Sequence, residues 1–177
     1  KQQFWVLSRM IIAVEKYPLT GTEIEIETWP KNIDKLFALR DFLIRQNGEI
    51  IARATSSWAL LQLPNRRPVG LDGFGEIMTE LKNTHALEET PQKLPSPEQP
   101  DALFTHQVTF SELDQNAHVN NGRYINWLID TFPTSFHQQN RIKTMQLNYL
   151  AEVFPDQKLH IARQQVANNF FLFEVTD

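Results

Sequence analysis

The stretch "LDQNAHVNNGRYINWL", residues 113–128, gathers polar side chains directly before an apolar run. In an extended segment alternate side chains point the same way, so Asp114, Asn116 and His118 are expected on one side. Asn120 and Asn121 follow where the N-cap of a helix belongs, and that helix would point its N–H groups and positive dipole end at the same volume. This set suits polarising a carbonyl and moving protons. The alternative is a plainly capped helix beside solvated loop residues.

The residues that precede this stretch have patterns typical of antiparallel sheet. β-branched and aromatic residues are frequent in them, and one segment alternates apolar and polar side chains as a half-buried strand does. The first two predicted strands are expected to pair through a turn at 15–21, and the last two through an Asn47-Gly48 hairpin. The segment 71–87 is ambiguous, and a short helix at 76–82 is one interpretation. The predicted strands are residues 5–14, 21–29, 35–45 and 49–63.

Residues 88–100 divide the chain, because they carry four prolines and no apolar period, as a linker does. After them the sequence predicts a strand at 103–110, the polar stretch, and a helix at 121–132 that Pro133 ends. The second half therefore reads as strand, helix, strands. The last three predicted strands are residues 142–154, 156–166 and 170–175.

A short repeat relates the two halves. "MIIAVEKYPLTGTEIEI" and "LNYLAEVFPDQKLHI" share strand, acid, aromatic-proline, turn and strand. Matching Pro18 to Pro155 gives an offset of 137 residues (155 minus 18), which also pairs Glu15 with Glu152. Two related units are therefore predicted. By this offset the first unit's helix would precede residue 1 and the second unit would stop near the counterpart of Arg40, so we expect a chain clipped at both ends.

The composition limits the classes of function. A chain of 177 residues, 41% of them hydrophobic, can bury one sizeable core or two small ones. The net charge of -4, without blocks of like charge, indicates neither nucleic acid nor a membrane as partner. Without cysteine, disulfides, thiolate metal sites and a cysteine nucleophile are excluded. The five histidines lack metal-ligand spacing, so neither a metal nor another cofactor is predicted.

The polar stretch also carries a family resemblance. "LDQNAHVNNGRYINW" resembles the motif of hotdog-fold thioesterases, in which D-x-N-x-H-V-N-N-x-x-Y opens a long central helix wrapped by an antiparallel sheet. In the same order, "WVLSRM", "TWP", "RDFLIR", "ATSSW" and "RRP" resemble the first half of the acyl-acyl carrier protein thioesterases of plant plastids and bacteria. The resemblance spans nearly all of residues 4–175 and is weakest in 71–100.

The resemblance implies an α+β fold of tandem hotdog domains. It places an incomplete N-terminal hotdog with the acyl-chain pocket at 1–87, the proline-rich linker at 88–100, and an incomplete catalytic hotdog at 101–177. It also implies a reaction: hydrolysis of the thioester between a fatty acyl chain and the phosphopantetheine arm of acyl carrier protein, which releases free fatty acid in fatty acid biosynthesis.

Carried over residue by residue, the family's catalytic set falls on Asp114, Asn116, His118 and Glu152, the last in the predicted strand after the helix. Older accounts of the family place a cysteine directly after that acid. Because Val153 stands there, water is the expected nucleophile unless a carboxylate attacks. Glu152 and His118 would position and deprotonate this water, Asn116 would orient the water or the carbonyl, and Asp114 would fix Asn116 and the loop.

N–H groups at the helix start, around Asn120 and Asn121, would hold the developing oxyanion. The resemblance also nominates walls of the acyl pocket and basic residues that could dock the acidic carrier protein. Each nominee also fits a plain core or solvated-surface role. The pocket candidates are Trp5, Met10, Ile12 and Trp58, and the docking candidates are Arg66 and Arg67.

Three functions are weighed: a thioesterase acting on acyl-acyl carrier protein, which the first-half motifs favour; a hotdog thioesterase acting on acyl-CoA; and a non-catalytic acyl-binding module. The last is disfavoured because the polar set is present in full. Val153 favours a bacterial cytoplasm, with a plastid as the compartment if the chain is of plant origin. The sequence predicts neither the acyl chain length nor whether the protein is a monomer or a homodimer.

Overall fold

The computed structural model describes residues 3–63, 65–74 and 84–177. The chain forms two compact units, Lys1–Lys93 with Ile142–Tyr149 and Leu94–Arg141 with Leu150–Asp177. The strands are β1 (Gln3–Val14), β2 (Glu25–Asp34), β3 (Phe37–Gln46), β4 (Glu49–Gln62), β5 (Arg67–Pro68), β6 (Ala102–Gln107), β7 (Thr144–Asn148), β8 (Lys158–Ala167) and β9 (Phe170–Thr176). The helices are α1 (Asn121–Asp130) and α2 (Thr134–Gln139), and a short 3-10 turn covers Phe110–Glu112.

The first unit is an antiparallel sheet in the order β2-β3-β4-β1-β7, with β5 paired to β4. Strand β7 comes from the second half of the sequence but pairs with β1, Arg9 opposite Asn148 and Ala13 opposite Thr144. The spatial units therefore differ from the predicted boundaries by this one strand. The proline-rich segment is shared, since residues 88–93 belong to the first unit and 94–100 to the second.

The predicted pairing of the first two strands is wrong. Strand β1 pairs with β4 and β7, whereas β2 pairs with β3. The reason is the turn chemistry: residues 15–24 form too long a connection to fix a register, whereas Asn47 and Gly48 both adopt positive φ angles, 51° and 80°, and set Gln46 opposite Glu49. The second predicted hairpin is thus confirmed. The helix suggested at 76–82 lies outside the described residues.

One face of this sheet carries a buried ion pair. Trp29, Asp41 and Thr55 lie side by side in register on neighbouring strands. The fully buried Asp41 carboxylate accepts hydrogen bonds from the Thr55 hydroxyl (2.6 Å) and from the backbone N–H of Ala86 (2.9 Å), and it lies 3.5 Å from the Lys31 ammonium. Lys31 also donates to the carbonyl of Leu87. These bonds fasten residues 84–87 onto the sheet and satisfy both buried charges.

The second unit contains a smaller antiparallel sheet, in the order β6-β8-β9, and the two helices. Helix α1 ends before Pro133, as predicted, but Pro133 then caps α2, which the sequence did not predict. The predicted strand at 142–154 is wrong in its second part, because β7 ends at Asn148 and residues 149–157 form a loop. No helix in the described part of the chain is long and apolar enough to cross a membrane. The core is built from Val108, Val119, Trp127, Leu159 and Ile161.

Replacement of Asp41 by alanine should lower the free energy of unfolding by about 3–5 kcal/mol, because the Lys31 charge stays buried without its partner. The matched control is Glu49→Ala, which breaks the exposed pair of Glu49 with Lys16 in the same unit and should cost under about 1 kcal/mol. Urea unfolding of the two variants measures the difference. Equal losses would contradict the role given to Asp41.

Candidate active site

The polar loop is shaped by the carboxylate of Asp114. Its Oδ1 accepts the backbone N–H groups of Asn116 (2.8 Å) and His118 (3.2 Å), and its own N–H donates to the carbonyl of His118 (2.8 Å). Ala117 adopts a left-handed φ of 59° to close the turn. The prediction of an extended segment is therefore wrong, because a short acidic side chain bonds the backbone two residues on and folds it back.

The same bonds fix the charge of Asp114. The backbone N–H of Asn116 is the largest influence and lowers the pKa of Asp114; burial opposes it, and the N–H of His118 lowers the pKa further. The Asn116 side chain lowers the pKa of Asp114 as well. Asp114 is therefore an ionised acceptor that organises its own loop, while Asn116 is exposed at the loop surface.

A backbone hydrogen bond brings His118 next to Glu152. The N–H of Val119 donates to the carbonyl of Val153 at 3.0 Å, so the residues preceding each of them are neighbours. His118 Nδ1 lies 3.5 Å from Glu152 Oε1, and the side chains are 31% and 26% exposed. The Phe154 ring packs edge-on against the imidazole, with centroids 5.1 Å apart. Glu152 thus lies in a loop rather than in the predicted strand, and still meets His118.

Val153 takes the position directly after Glu152. It is half-buried and packs against the core that includes Val119 and Trp127. An aliphatic side chain fits that environment, and it offers no nucleophile. The groups at this place that can exchange protons are therefore His118 and Glu152.

The start of α1 is capped by Asn120. Its side-chain oxygen accepts the N–H of Gly122 (2.9 Å), and its carbonyl accepts the N–H of Arg123 (2.8 Å). Asn121 is the first residue of the helix and is exposed. A surface depression of about 330 Å³ adjoins this helix start; it is lined by Leu113, Asn120, Gly122, Arg123 and Asn126.

Sequence reasoning missed Glu112, a buried acid just before the polar loop. Its carboxylate accepts bonds from the Thr109 N–H (2.7 Å), the Trp127 indole (2.6 Å) and His106 Nε2 (2.9 Å). Burial, the largest influence, would raise the pKa of Glu112, but the bonds from Thr109, Trp127 and His106 together lower it from 4.5 to about 2. Thr-x-x-Glu at 109–112 is a capping-box pattern, and that signal could have found this acid.

The four acyl-pocket candidates share one face of the first sheet. Strand register sets Met10 opposite Ser56 and Ile12 opposite Ala54, and Trp58 alternates with these in β4. Trp5 follows on the same face, opposite Leu60, and the opposite face carries Asp41 and Thr55. Three of the four are half-buried and Trp5 is 42% exposed. The shared face agrees with a common wall, but their role in binding an acyl chain stays a prediction.

Of the docking candidates, Arg66 directly precedes β5 and Arg67 is the first residue of that strand. Arg66 adopts a φ of 52°, and the backbone N–H of Arg67 donates to the Asn65 side chain at 3.1 Å. Both arginines are exposed. Among the residues that the structure describes, no group of three or more His, Asp or Glu side chains could hold a metal ion.

The sequence matches known protein families over most of its length. Residues 1–77 match the family model of the acyl-ACP thioesterase N-terminal domain, and residues 97–175 match that of its C-terminal domain. The chloroplastic palmitoyl-acyl carrier protein thioesterase of Arabidopsis thaliana is 32% identical over 167 residues, which cover 90% of this chain and 40% of that protein. The chain thus spans about 40% of the length of the first curated relatives.

Two solved structures are similar over nearly the whole chain. An acyl-ACP thioesterase from Bacteroides thetaiotaomicron is 32% identical with a TM-score of 0.87, covering 98% of this chain and 70% of that one. The 12:0-ACP thioesterase from Umbellularia californica is 26% identical with a TM-score of 0.80, covering 98% and 76%. The fold is therefore that of tandem hotdog domains. Within that class, the chain belongs to the acyl-ACP thioesterase family, and the resemblance found in its sequence is confirmed.

Because Glu112 is ionised in the folded protein, the free energy of unfolding should depend on pH in the acid range. Because the folded-state pKa of about 2 lies below the ordinary 4.5, ionised Glu112 stabilises the fold above about pH 5, and this contribution is lost as the pH falls towards 2. Its size is on the order of 3 kcal/mol. Glu112→Gln should therefore flatten the acid limb of the unfolding free energy measured in urea, whereas the exposed control Glu98→Gln should leave that limb unchanged. An unaltered limb in Glu112→Gln would contradict this assignment.

Proposed function

We propose that this chain belongs to an enzyme that hydrolyses the thioester of fatty acyl-acyl carrier protein and releases free fatty acid. Family membership supports the reaction class. The observation that carries the proposal for this chain is the contact of His118 Nδ1 with Glu152, 3.5 Å apart. A carboxylate on one ring nitrogen of an imidazole orients the ring and leaves the other nitrogen for a reacting water.

The reaction is a general-base hydrolysis. His118 Nε2 takes a proton from water while Glu152, at Nδ1, stabilises the imidazolium that forms. The resulting hydroxide adds to the thioester carbonyl carbon and gives a tetrahedral oxyanion. When this collapses, the carbon–sulfur bond breaks, and the leaving thiolate takes the proton back from the imidazolium. The products are a fatty acid and the free thiol of the pantetheine arm.

The oxyanion is assigned to the positive end of α1, and Asn116 is assigned to orienting the water or the carbonyl. The N–H groups of Gly122 and Arg123 are bonded to Asn120, so Asn120 is assigned to holding the helix start. Asp114 holds the loop that carries Asn116. Donors fixed in place before the reaction stabilise the oxyanion without reorganisation, which is the main advantage of such a site.

A thioester needs little further activation, since its sulfur contributes less resonance than the oxygen of an ester. A general base, typically worth about 10²- to 10⁴-fold, and an oxyanion site are therefore sufficient, and the proposed route uses no metal. The carrier is acyl carrier protein. The compartment is a bacterial cytoplasm, with Val153 as the supporting residue, or a plastid for a chain of plant origin.

Loss of either member of the pair should slow catalysis strongly. We expect His118→Ala and Glu152→Ala to lower the single-turnover rate with palmitoyl-acyl carrier protein about 10²- to 10⁴-fold in the full-length enzyme, with circular dichroism unchanged. The matched controls are His160→Ala and Glu98→Ala, which change exposed residues of the same unit. A near-normal rate for Glu152→Ala would overturn its role and make Asp114 the carboxylate to test.

The choice of carrier should depend on the basic turn. We expect turnover of palmitoyl-acyl carrier protein to exceed that of palmitoyl-CoA, and Arg66→Ser with Arg67→Ser to raise KM for the protein carrier several-fold while leaving that for palmitoyl-CoA unchanged, because the carrier protein is acidic. Steady-state kinetics on both carriers measures this. Preference for palmitoyl-CoA would favour the acyl-CoA thioesterase instead, and an equal effect on both carriers would exclude docking by these arginines.

A further inference from the structure

We propose that Glu112 is a positioning residue of the hydrolytic site. Its buried carboxylate holds helix α1 in the rotation that places the helix start and the polar loop for reaction. This inference rests on the proposed function, and it assigns a role to a charged group that the reaction steps above do not use.

Glu112 collects donors from three separate elements. His106 lies on β6, Thr109 stands just before the 3-10 turn, and Trp127 lies on α1. All three bond the same carboxylate, at 2.9, 2.7 and 2.6 Å respectively. The carboxylate is therefore the single acceptor at which a strand, a turn and the helix meet.

The bond to Trp127 fixes the rotation of the helix. Trp127 is buried in the core, with the rings of His106 and Tyr124 at centroid distances of 4.8 and 4.9 Å. Its indole has one N–H, and that N–H donates to Glu112. Turning α1 about its axis would break this bond inside the core and leave the indole N–H buried without an acceptor, which is unfavourable.

The backbone of Glu112 holds the other end of the same segment. Its carbonyl accepts the N–H of Asn120 at 2.9 Å, and Leu113 forms a bridge with Val119 one step further in. Residues 113–119, which include the polar loop, are therefore closed at their base by Glu112 and Asn120. One residue thus sets both the base of the loop and the rotation of the helix that follows.

The surroundings of the Glu112 side chain require a group that accepts hydrogen bonds and donates none. The Thr109 N–H and the Trp127 indole are donors in every protonation state, and His106 Nε2 contacts both carboxylate oxygens, 2.9 and 3.0 Å away. A glutamine has the same shape, but its NH₂ group would face one of these donors. Glu112→Gln is therefore a test of the charge rather than of the volume.

The test combines kinetics with the indole N–H signals of the full-length enzyme labelled with ¹⁵N, to which the 177 residues of this chain contribute four tryptophans. In Glu112→Gln we expect kcat for palmitoyl-acyl carrier protein to fall about 10- to 100-fold, as expected for a small displacement of reacting groups, with KM within about twofold. The Trp127 indole proton, assigned with Trp127→Phe, should move upfield because it loses a charged acceptor. Trp127→Phe should also lower kcat, by a smaller factor than Glu112→Gln does.

The control Glu98→Gln should change neither kcat nor any indole signal. If the Trp127 signal moves in Glu112→Gln while kcat is unchanged, Glu112 is only structural and the inference fails. If the Trp127 signal does not move in Glu112→Gln, the inference loses its physical basis and also fails. Should Glu112→Gln not fold, Trp127→Phe decides through its kcat and KM. Failure of the proposed function is distinguishable, because the unmodified enzyme would then not hydrolyse palmitoyl-acyl carrier protein, or His118→Ala and Glu152→Ala would leave hydrolysis intact, while the Trp127 signal still reports the Glu112 bond.

Discussion

The hydrogen bond from the N–H of Val119 to the carbonyl of Val153 is the constraint on which the site depends. It joins the loop before α1 to the loop after β7, two segments that are more than thirty residues apart. Because the joined residues follow His118 and Glu152 directly, their side chains meet as a consequence of backbone pairing. The half-buried side chain of Val153 packs against the core beside Val119, so the joint that brings the pair together is also part of the hydrophobic interior.

Three carboxylates near this joint differ in their bonding partners and therefore in what they can do. Asp114 is committed to the N–H groups of its own loop, and Glu112 to donors from three elements in the interior. Glu152, about a quarter exposed, contacts an imidazole that is itself reachable from solvent. Two acids thus stabilise local structure, and the third is the one whose contact suits proton transfer.

The structural features that depend only on neighbouring residues in the chain were predictable from the sequence. The Asn47-Gly48 turn, the helix end before Pro133 and the Asn120 cap all follow from backbone preferences of single residues. The strands that pair with β1 could not be predicted in this way. A long connection does not fix the register, and the pairing depends on strands that are distant in the sequence. The clustering of His106, Thr109 and Trp127 on Glu112 is likewise set by tertiary packing. The contact of His118 with Glu152 was anticipated through the family motif, although Glu152 lies in a loop and not in a strand.

The most direct test of the account is a single turnover of palmitoyl-acyl carrier protein in H₂¹⁸O with enzyme in excess, followed by mass spectrometry of the fatty acid and of the peptide that contains Glu152. Attack by a water that His118 activates places one ¹⁸O atom in the released fatty acid and none in the protein. Unlabelled fatty acid together with ¹⁸O in Glu152 would show that this carboxylate attacks the thioester itself, and it would contradict the account.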